Sequence, residues 1–217
     1  MKEAADDVPA MGPNRFLCYV NDTILPDGRP ISAHCVMAAL EGDLATLAAL
    51  VDPLTEQQTR DLLSIDHWRG MTLLDMVSGK GDVEKIAYLV GKGADVDGQH
   101  YESEKTCLHL AAAGGKAPAV QLLVETLRAN PVALDRNGQT PFANACVAGD
   151  SVGHLAVLQY LLSSLKARGV PVDLDRPDGT AEGRTALGWA KARGHTAVAE
   201  WLMRNGAVLE FNPLPQH

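Results

Sequence analysis

The stretch Asn137-Gly138-Gln139-Thr140-Pro141-Phe142-Ala143-Asn144-Ala145-Cys146-Val147-Ala148-Gly149 carries the signals of a turn followed by one short helix. Asn-Gly is a turn dipeptide. Thr140 can accept a backbone N–H as the helix N-cap, and Pro141 suits the first helical position. Gly149 can end the helix. Spacings of three and four predict one apolar helix face, formed by Phe142, Ala145 and Cys146.

The same interval occurs five times, each time running nine residues from a threonine, or once an alanine, to a glycine. The starting residues are Ala33, Thr72, Thr106, Thr140 and Thr185, and the glycines are Gly42, Gly81, Gly115, Gly149 and Gly194. A second apolar stretch follows each glycine. Such a chain is predicted to be a stack of similar units with a shared core and an extended surface, which favours binding over catalysis.

The composition favours closely packed helices in an acidic chain. Hydrophobic residues make up 46% and aromatic residues 5%, so alanine, leucine and valine must do most of the packing. The net charge of -8 argues against nucleic acid and against an anionic membrane surface as partners. No apolar run approaches the roughly 18 residues of a membrane span. We expect a cytoplasmic location, with the nucleus as the alternative, and reduced, buried cysteines.

Several residues within these units resemble the ankyrin repeat. Thr140-Pro141, Leu108-His109, Gly194-His195 and Gly93-Ala94-Asp95-Val96 each match an element of that family's pattern. The steps from Thr72 to Thr106 and on to Thr140 are 34 residues each, close to the family period of about 33. The resemblance covers residues 31–210. It implies an all-α ankyrin-repeat solenoid of about five helix pairs joined by short β-hairpin loops.

This organisation divides the chain into an N-terminal extension, a repeat domain and a short tail. We expect the boundaries 1–30, 31–210 and 211–217, with repeats at 31–65, 66–100, 101–134, 135–179 and 180–210. The first repeat lacks the Thr-Pro pair and looks like a degenerate cap. Thr55-Glu56-Gln57-Gln58 is a capping-box pattern that predicts a short extra helix. The insertion Asp150-Ser151-Val152-Gly153 should make the second helix of the fourth repeat and the following hairpin protrude.

No catalytic motif stands out, so we expect no enzyme activity, no metal and no cofactor. The resemblance implies structural hydrogen bonds for His109, His154 and His195. His67 and His100 fall in predicted hairpins without a partner at zinc spacing, and we expect both to be exposed. In the last helix, Val198, Leu202 and Met203 are expected to face inward, and Trp189 and Trp201 to be structural.

The resemblance also implies a concave groove formed by the hairpin tips and the outer side of each first helix. Carried over position by position, the partner-binding residues are His67, Trp68, Met71, Lys80, Glu102, Lys105, Arg136, Asn137, Gln139, Arg184 and Arg193. Most of their charges are basic, which predicts an acidic or mixed partner surface with an apolar knob. Trp68 either anchors that partner or packs onto residues 52–65, and the sequence leaves both open.

The sequence thus predicts a non-enzymatic, monomeric protein-interaction module: an adaptor, inhibitor or assembly factor that binds a protein partner through the groove. Two alternatives remain. The chain could be a structural or recognition subunit of a larger complex, or an enzyme with unrecognised chemistry. An enzyme would need a deep pocket with convergent titratable groups, which short repeats rarely enclose.

Overall fold

The computed structural model of the protein describes residues 31–64, 70–180 and 183–208. In these ranges the regular elements are all helical, and successive antiparallel pairs stack on one another. The helices are α1 Ile31–Leu40, α2 Leu44–Val51, α3 Glu56–Ser64, α4 Leu73–Lys80, α5 Val83–Gly91, α6 Cys107–Ala113, α7 Ala117–Gln121, α8 Pro141–Ala148, α9 Val152–Ala167, α10 Ala186–Ala192 and α11 Thr196–Arg204. The expectation of an all-α stack is confirmed. The predicted extension 1–30 and the predicted tail 211–217 lie outside the described residues.

Each first helix from the second unit onward begins at the predicted threonine. The Thr72 hydroxyl oxygen accepts the N–H of Asp75 (3.2 Å), while the Asp75 carboxylate accepts the N–H of Thr72 (3.0 Å). Thr140 and Thr185 accept N–H groups three residues on, at 3.3 and 3.2 Å. These bonds satisfy donors that a helix start would otherwise leave unpaired.

The extra helix predicted after Thr55 is present as α3. The Gln58 side-chain oxygen accepts the N–H of Thr55 at 2.9 Å, and the Thr55 hydroxyl oxygen accepts the N–H of Gln58 at 3.3 Å. This is the reciprocal capping box. Leu62 and Leu63 of α3 are buried and belong to the common hydrophobic core.

The interior is built from leucines and small residues shared between neighbouring units. Leu47, Leu73, Ile86, Leu89, Leu108, Leu123, Leu158, Leu161, Leu187 and Leu202 are fully buried. Cys35, Cys107 and Cys146 are buried and form no disulfide with one another, as expected. Burial raises the pKa of the Cys107 and Cys146 thiols, so both act as small hydrophobic side chains. In α11 the inward residues are Val198, Ala199 and Leu202. Met203 is exposed, so its predicted inward position is wrong.

The second helices absorb length changes in two ways. From Gly115 to Arg128 is 13 residues, against 12 from Gly81 to Gly93, and the additional residue is taken up by a π-helical turn over Leu122–Thr126. From Gly149 to Gly169 is 20 residues. Here α9 is a continuous helix of 16 residues, against nine in α5 and α11. Of the inserted residues 150–153, Ser151 is the N-cap of α9, and Val152 and Gly153 are its first two residues.

Candidate functional site

The turns between units form a connected row along one edge of the stack. Each of the three turns that the structure describes is closed by a backbone bond: His100 N–H to the Lys105 carbonyl (2.8 Å), Asp135 N–H to Gln139 (3.0 Å) and Asp178 N–H to Arg184 (2.9 Å). Neighbouring turns are joined as well. Arg136 N–H donates to Ser103 (2.9 Å), and Gly179 N–H donates to Asn137 (2.6 Å). The turns therefore hold one another in position without a sheet in this part of the structure.

A chain of buried polar groups supports this row from beneath. The Asp135 carboxylate accepts the Asn144 amide and the Gln139 backbone N–H, both at 3.0 Å. The Trp189 indole N–H donates to Asp178 at 2.7 Å, and the Gln139 side-chain amide reaches the same carboxylate at 3.5 Å. Pairing these groups removes the penalty of burying them, so the network fixes the last two turns relative to each other.

The histidines of the first and second helices make the structural bonds that the resemblance implied. His109 is fully buried; its Nδ1 accepts the Thr106 N–H (3.1 Å) and its Nε2 donates to the Gln139 carbonyl (3.0 Å). Burial lowers the pKa of His109, in keeping with a neutral ring. His154 Nε2 donates to the Ala113 carbonyl (2.9 Å) and His195 Nε2 to that of Val147 (3.1 Å).

His100 corrects the sequence analysis, which expected an exposed side chain. It is only 8% exposed. Its Nδ1 accepts the N–H groups of Glu102 and Ser103 at 3.3 and 3.2 Å. The ring thus caps its own turn in the manner of an aspartate, and that local pairing keeps it inside.

The predicted partner-binding residues fall into four groups. Lys80, Glu102, Arg136, Asn137 and Arg193 are exposed, whereas Met71, Lys105 and Arg184 are half-buried. Gln139 is only 7% exposed and its side chain bonds inside the network, so its predicted position on the surface is wrong. His67 and Trp68 lie outside the described residues. The two alternatives for Trp68, an anchor for the partner or packing onto residues 52–65, therefore stay predictions.

Two of the predicted arginines meet on a tryptophan that the sequence analysis treated as structural only. The Arg184 and Arg193 guanidinium carbons lie 5.1 and 5.8 Å from the centroid of the Trp189 ring. Both distances are within cation–π range. Trp189 is half-buried, and its indole N–H donates to the buried Asp178 carboxylate. We call Arg184, Trp189 and Arg193 the Trp189 cluster.

A sequence signal for the Trp189 cluster did exist. Trp189 lies four residues before Arg193 and five after Arg184, so one helical turn separates it from a residue already placed on the surface. Trp201, by contrast, packs against Phe142 with ring centroids 6.3 Å apart. That contact is the structural role predicted for Trp201.

Farther along the row, the charge of Arg136 is partly balanced within the chain. Its guanidinium donates to the Tyr101 carbonyl at 3.2 Å and lies 3.5 Å from the Glu104 carboxylate. Both side chains of that ion pair are about half exposed, so the pair contributes little to stability. Tyr101 is 77% exposed. At the Trp189 cluster, by contrast, two basic side chains lie against an aromatic ring.

Metal ligands and membrane spans were sought in the same described ranges. No three His, Cys, Asp or Glu side chains come together there as a metal-binding group. Within these ranges, too, no helix combines the length and the hydropathy that crossing a membrane requires.

Comparison with known proteins identifies the repeated unit. The sequence model described as "Ankyrin repeats (3 copies)" matches residues 73–178. The chain is 39% identical over 119 residues to human ankyrin repeat domain-containing protein 63, covering 54% of this chain and 28% of that protein. It is 35% identical over 99 residues to the Caenorhabditis elegans E3 ubiquitin-protein ligase hecd-1, covering 46% of this chain and 4% of the ligase. It is 26% identical over 191 residues to the Lachancea kluyveri palmitoyltransferase AKR1, covering 85% of this chain and 24% of the transferase.

The matches thus span between 4% and 28% of the length of these relatives. The repeat motifs, the stacked helix pairs and the matched family agree with one another. Residues 73–178 of the chain therefore match ankyrin repeats, and the described helices form an all-α solenoid.

Proposed function

We propose that this chain is a non-enzymatic adaptor, inhibitor or assembly factor that binds the acidic surface of a protein partner. Ankyrin repeats indicate a protein–protein interaction module, and the partner and the binding surface are our proposal. The contact would centre on the Trp189 cluster. The connected turns and the buried polar network support this because a rigid surface loses little conformational entropy when it binds.

The observation that carries the proposal is the placement of two guanidinium groups against one half-buried indole ring. Tryptophan and arginine are the residues that most often dominate binding energy at interfaces. The hydrogen bond from Trp189 to Asp178 fixes the orientation of the indole ring beside the two arginines. Carboxylates of a partner could bond to the arginines while an apolar side chain lies on the ring. A monomer in the cytoplasm or nucleus completes the proposal, and the free, buried cysteines support a reducing compartment.

The test is capture of partners from native lysate by the tagged protein, followed by mass spectrometry. The double variant Arg184→Glu/Arg193→Glu reverses the charge of the Trp189 cluster. A matched control, Lys166→Glu/Arg204→Glu, makes the same change in net charge on exposed positions of α9 and α11. We expect a protein retained by the wild type and by the control but lost with the cluster variant at low salt. Equal retention by all three proteins contradicts the proposal.

A second candidate function is recognition on behalf of a larger assembly. It is favoured by the lengths of the relatives, since the matched segments are only 4–28% of those proteins. One relative is named a ubiquitin ligase and another a palmitoyltransferase, and these activities are said of those proteins alone. Native size measurement of the tagged chain in lysate separates the two: a stable high-mass species in constant stoichiometry supports the assembly, and a free monomer supports the adaptor.

A further inference from the structure

Two of the three described turns are held by aspartates, and the third is held by a histidine. Asp135 and Asp178 each accept, through Oδ1, the N–H of the residue two positions further on, at 2.9 and 3.2 Å. In the turn that begins at His100, Nδ1 of the ring accepts the N–H of Glu102, again two positions further on, at 3.3 Å. A ring nitrogen of the buried His100 thus takes the place of a carboxylate oxygen.

His100 can hold its turn only while Nδ1 carries no proton. Nδ1 also accepts the N–H of Ser103 at 3.2 Å, and the Ser103 hydroxyl lies 3.1 Å away. Because a backbone N–H can only donate, Nδ1 must be an acceptor here. A proton on Nδ1 would place an N–H donor against two other N–H donors, so both backbone bonds would be lost.

This replacement matters because the two side chains respond to different pH ranges. Aspartate carboxylates in peptides take up a proton only near about pH 4. Histidine changes its charge between about pH 8 and pH 5. Of the three described turns, the one that His100 holds therefore contains an acceptor that mild acid can convert into a donor.

The segment that His100 holds also anchors the next turn. The Ser103 carbonyl accepts the N–H of Arg136 at 2.9 Å, and the Tyr101 carbonyl accepts from the Arg136 guanidinium at 3.2 Å. Both carbonyls belong to the backbone that the His100 ring fixes. Releasing this backbone therefore displaces the two acceptors that position Arg136 on the exposed row of turns.

Other charged groups next to His100 have to be distinguished from it. On its own turn, on α6 and on the following turn they are Glu102, Glu104, Lys105, His109, Asp135 and Arg136. The preceding turn lies outside the described residues, and its sequence contains Asp66, His67 and Arg69. Among these groups, His67 and His109 are the ones whose residue type changes charge in the same pH range.

We propose that His100 makes the turn of residues 100–105 a pH-sensitive element of the row. When Nδ1 takes up a proton, this turn opens and its two links to Arg136 are released, while the turns held by Asp135 and Asp178 stay closed. The inference goes beyond the proposed function, because the turn opens without a partner. A partner that contacts Tyr101 or Arg136 then binds less tightly in mild acid.

The experiment is an NMR titration of the ¹⁵N-labelled full chain from about pH 8 to pH 5, the range of histidine. The amide signals of Glu102, Ser103 and Arg136 report on the turn and its link, and the ring signal of His100 reports on its protonation. The Gly179 amide is the internal control, because it makes the corresponding link, at 2.6 Å, between the two turns that aspartates hold.

We expect the three amide signals to titrate together with the His100 ring, and the Gly179 signal to stay unchanged. Hydrogen exchange of the Glu102 and Ser103 amides, corrected for its intrinsic pH dependence, should become about fivefold faster or more at the acid end. That factor corresponds to about one typical hydrogen bond.

Two substitutions at His100 supply an acceptor that does not titrate in this range. His100→Asp copies the neighbouring turns, and His100→Asn offers a neutral amide oxygen, so one remains if the other fails to fold. In both variants the amides of Glu102, Ser103 and Arg136 should no longer titrate. His34→Asp makes the matched substitution in the first turn of α1, where a carboxylate is tolerated, and should titrate like the wild type.

Three results overturn the proposal. The first is a wild-type titration in which the Glu102 and Ser103 amides do not change. The second is a titration that persists in the His100 variants, because it then belongs to another group such as His67 or His109. The third is an equal response of the Gly179 amide, which assigns the change to the whole stack instead of one turn. Failure of the proposed function is separate, since it is read from partner capture at the Trp189 cluster.

Discussion

Replacing Arg128 with glycine is predicted to stabilise the fold. Arg128 has a φ of 63°, in the left-handed region. It lies one residue after the C-cap of the second helix in the third unit. The second, fourth and fifth units have Gly93, Gly169 and Gly206 at this position. A side chain with a β-carbon disfavours this conformation by about 1–2 kcal/mol, whereas glycine adopts it freely.

The expected gain follows from two opposing terms. Removing the left-handed strain returns about 1–2 kcal/mol. Glycine in turn adds flexibility to the unfolded chain, which removes about 0.5–1 kcal/mol. The net stabilisation should be about 0–1.5 kcal/mol. At about 2–4 °C per kcal/mol for a chain of this size, the melting temperature should rise by up to about 6 °C. Arg128 is exposed, and no buried contact is lost.

Gly169 provides the reciprocal control. It has a φ of 68°, and a β-carbon added there would meet no atom within 4 Å, so Gly169→Arg changes the backbone preference without a clash. Urea unfolding followed by circular dichroism should show Arg128→Gly more stable than wild type and Gly169→Arg less stable by a similar amount. If Arg128→Gly is less stable, the strain argument is refuted and the arginine side chain must stabilise the turn.

Three further substitutions test the contacts between units. Gly149→Ala should destabilise by about 1–3 kcal/mol in urea unfolding, because the new β-carbon would lie 2.4 Å from Cε1 of the His154 ring; an unchanged midpoint would show that the ring moves freely. Asp150→Ala should lose about 1 kcal/mol, since its carboxylate accepts the Val198 N–H at 2.7 Å at the start of α11, and Asp150→Asn should recover part of it. The pKa of His109 is lowered in the folded chain, so as the pH falls this histidine takes up a proton in the unfolded chain before it does so in the folded one. The free energy of unfolding should therefore fall as the pH drops below about 6.5, by at most about 1.4 kcal/mol per pH unit. A His109→Gln variant whose stability falls equally steeply would contradict that assignment.

The parts of the fold that sequence reasoning predicted are those decided by nearby residues. Thr72 and Thr140 cap their helices through bonds to residues three positions away, and the same holds for Thr55 at the extra helix. Such signals are local and need no knowledge of the stack. The buried cysteines followed equally well, because their helical spacing placed them on the inner face.

The parts that sequence reasoning missed depend on contacts between units. Gln139 was expected on the surface, yet its carbonyl accepts from His109, 30 residues earlier, and its side chain bonds inside the network. The surface role of Trp189 depends on how Arg184 and Arg193 fold back on its ring. Val132 stands three residues before Asp135, at the position that Asp97 and Asp175 hold before His100 and Asp178, and this difference becomes visible only when the loops are aligned backward from their turns.

His154 shows what an inserted segment must preserve. It lies five residues after Gly149, whereas His195 directly follows Gly194, yet both rings donate to the carbonyl two residues before the preceding unit's glycine. The four residues added before His154 amount to about one helical turn, and four more separate His154 from Gly169 than separate His195 from Gly206. Inserting whole helical turns keeps the same face of the second helix directed at the core. The single extra residue in the third unit is instead taken up by the π-helical turn. The second helix of such a repeat should therefore accept an insertion of one whole helical turn. An insertion of two residues, engineered or evolved, should disrupt the stack.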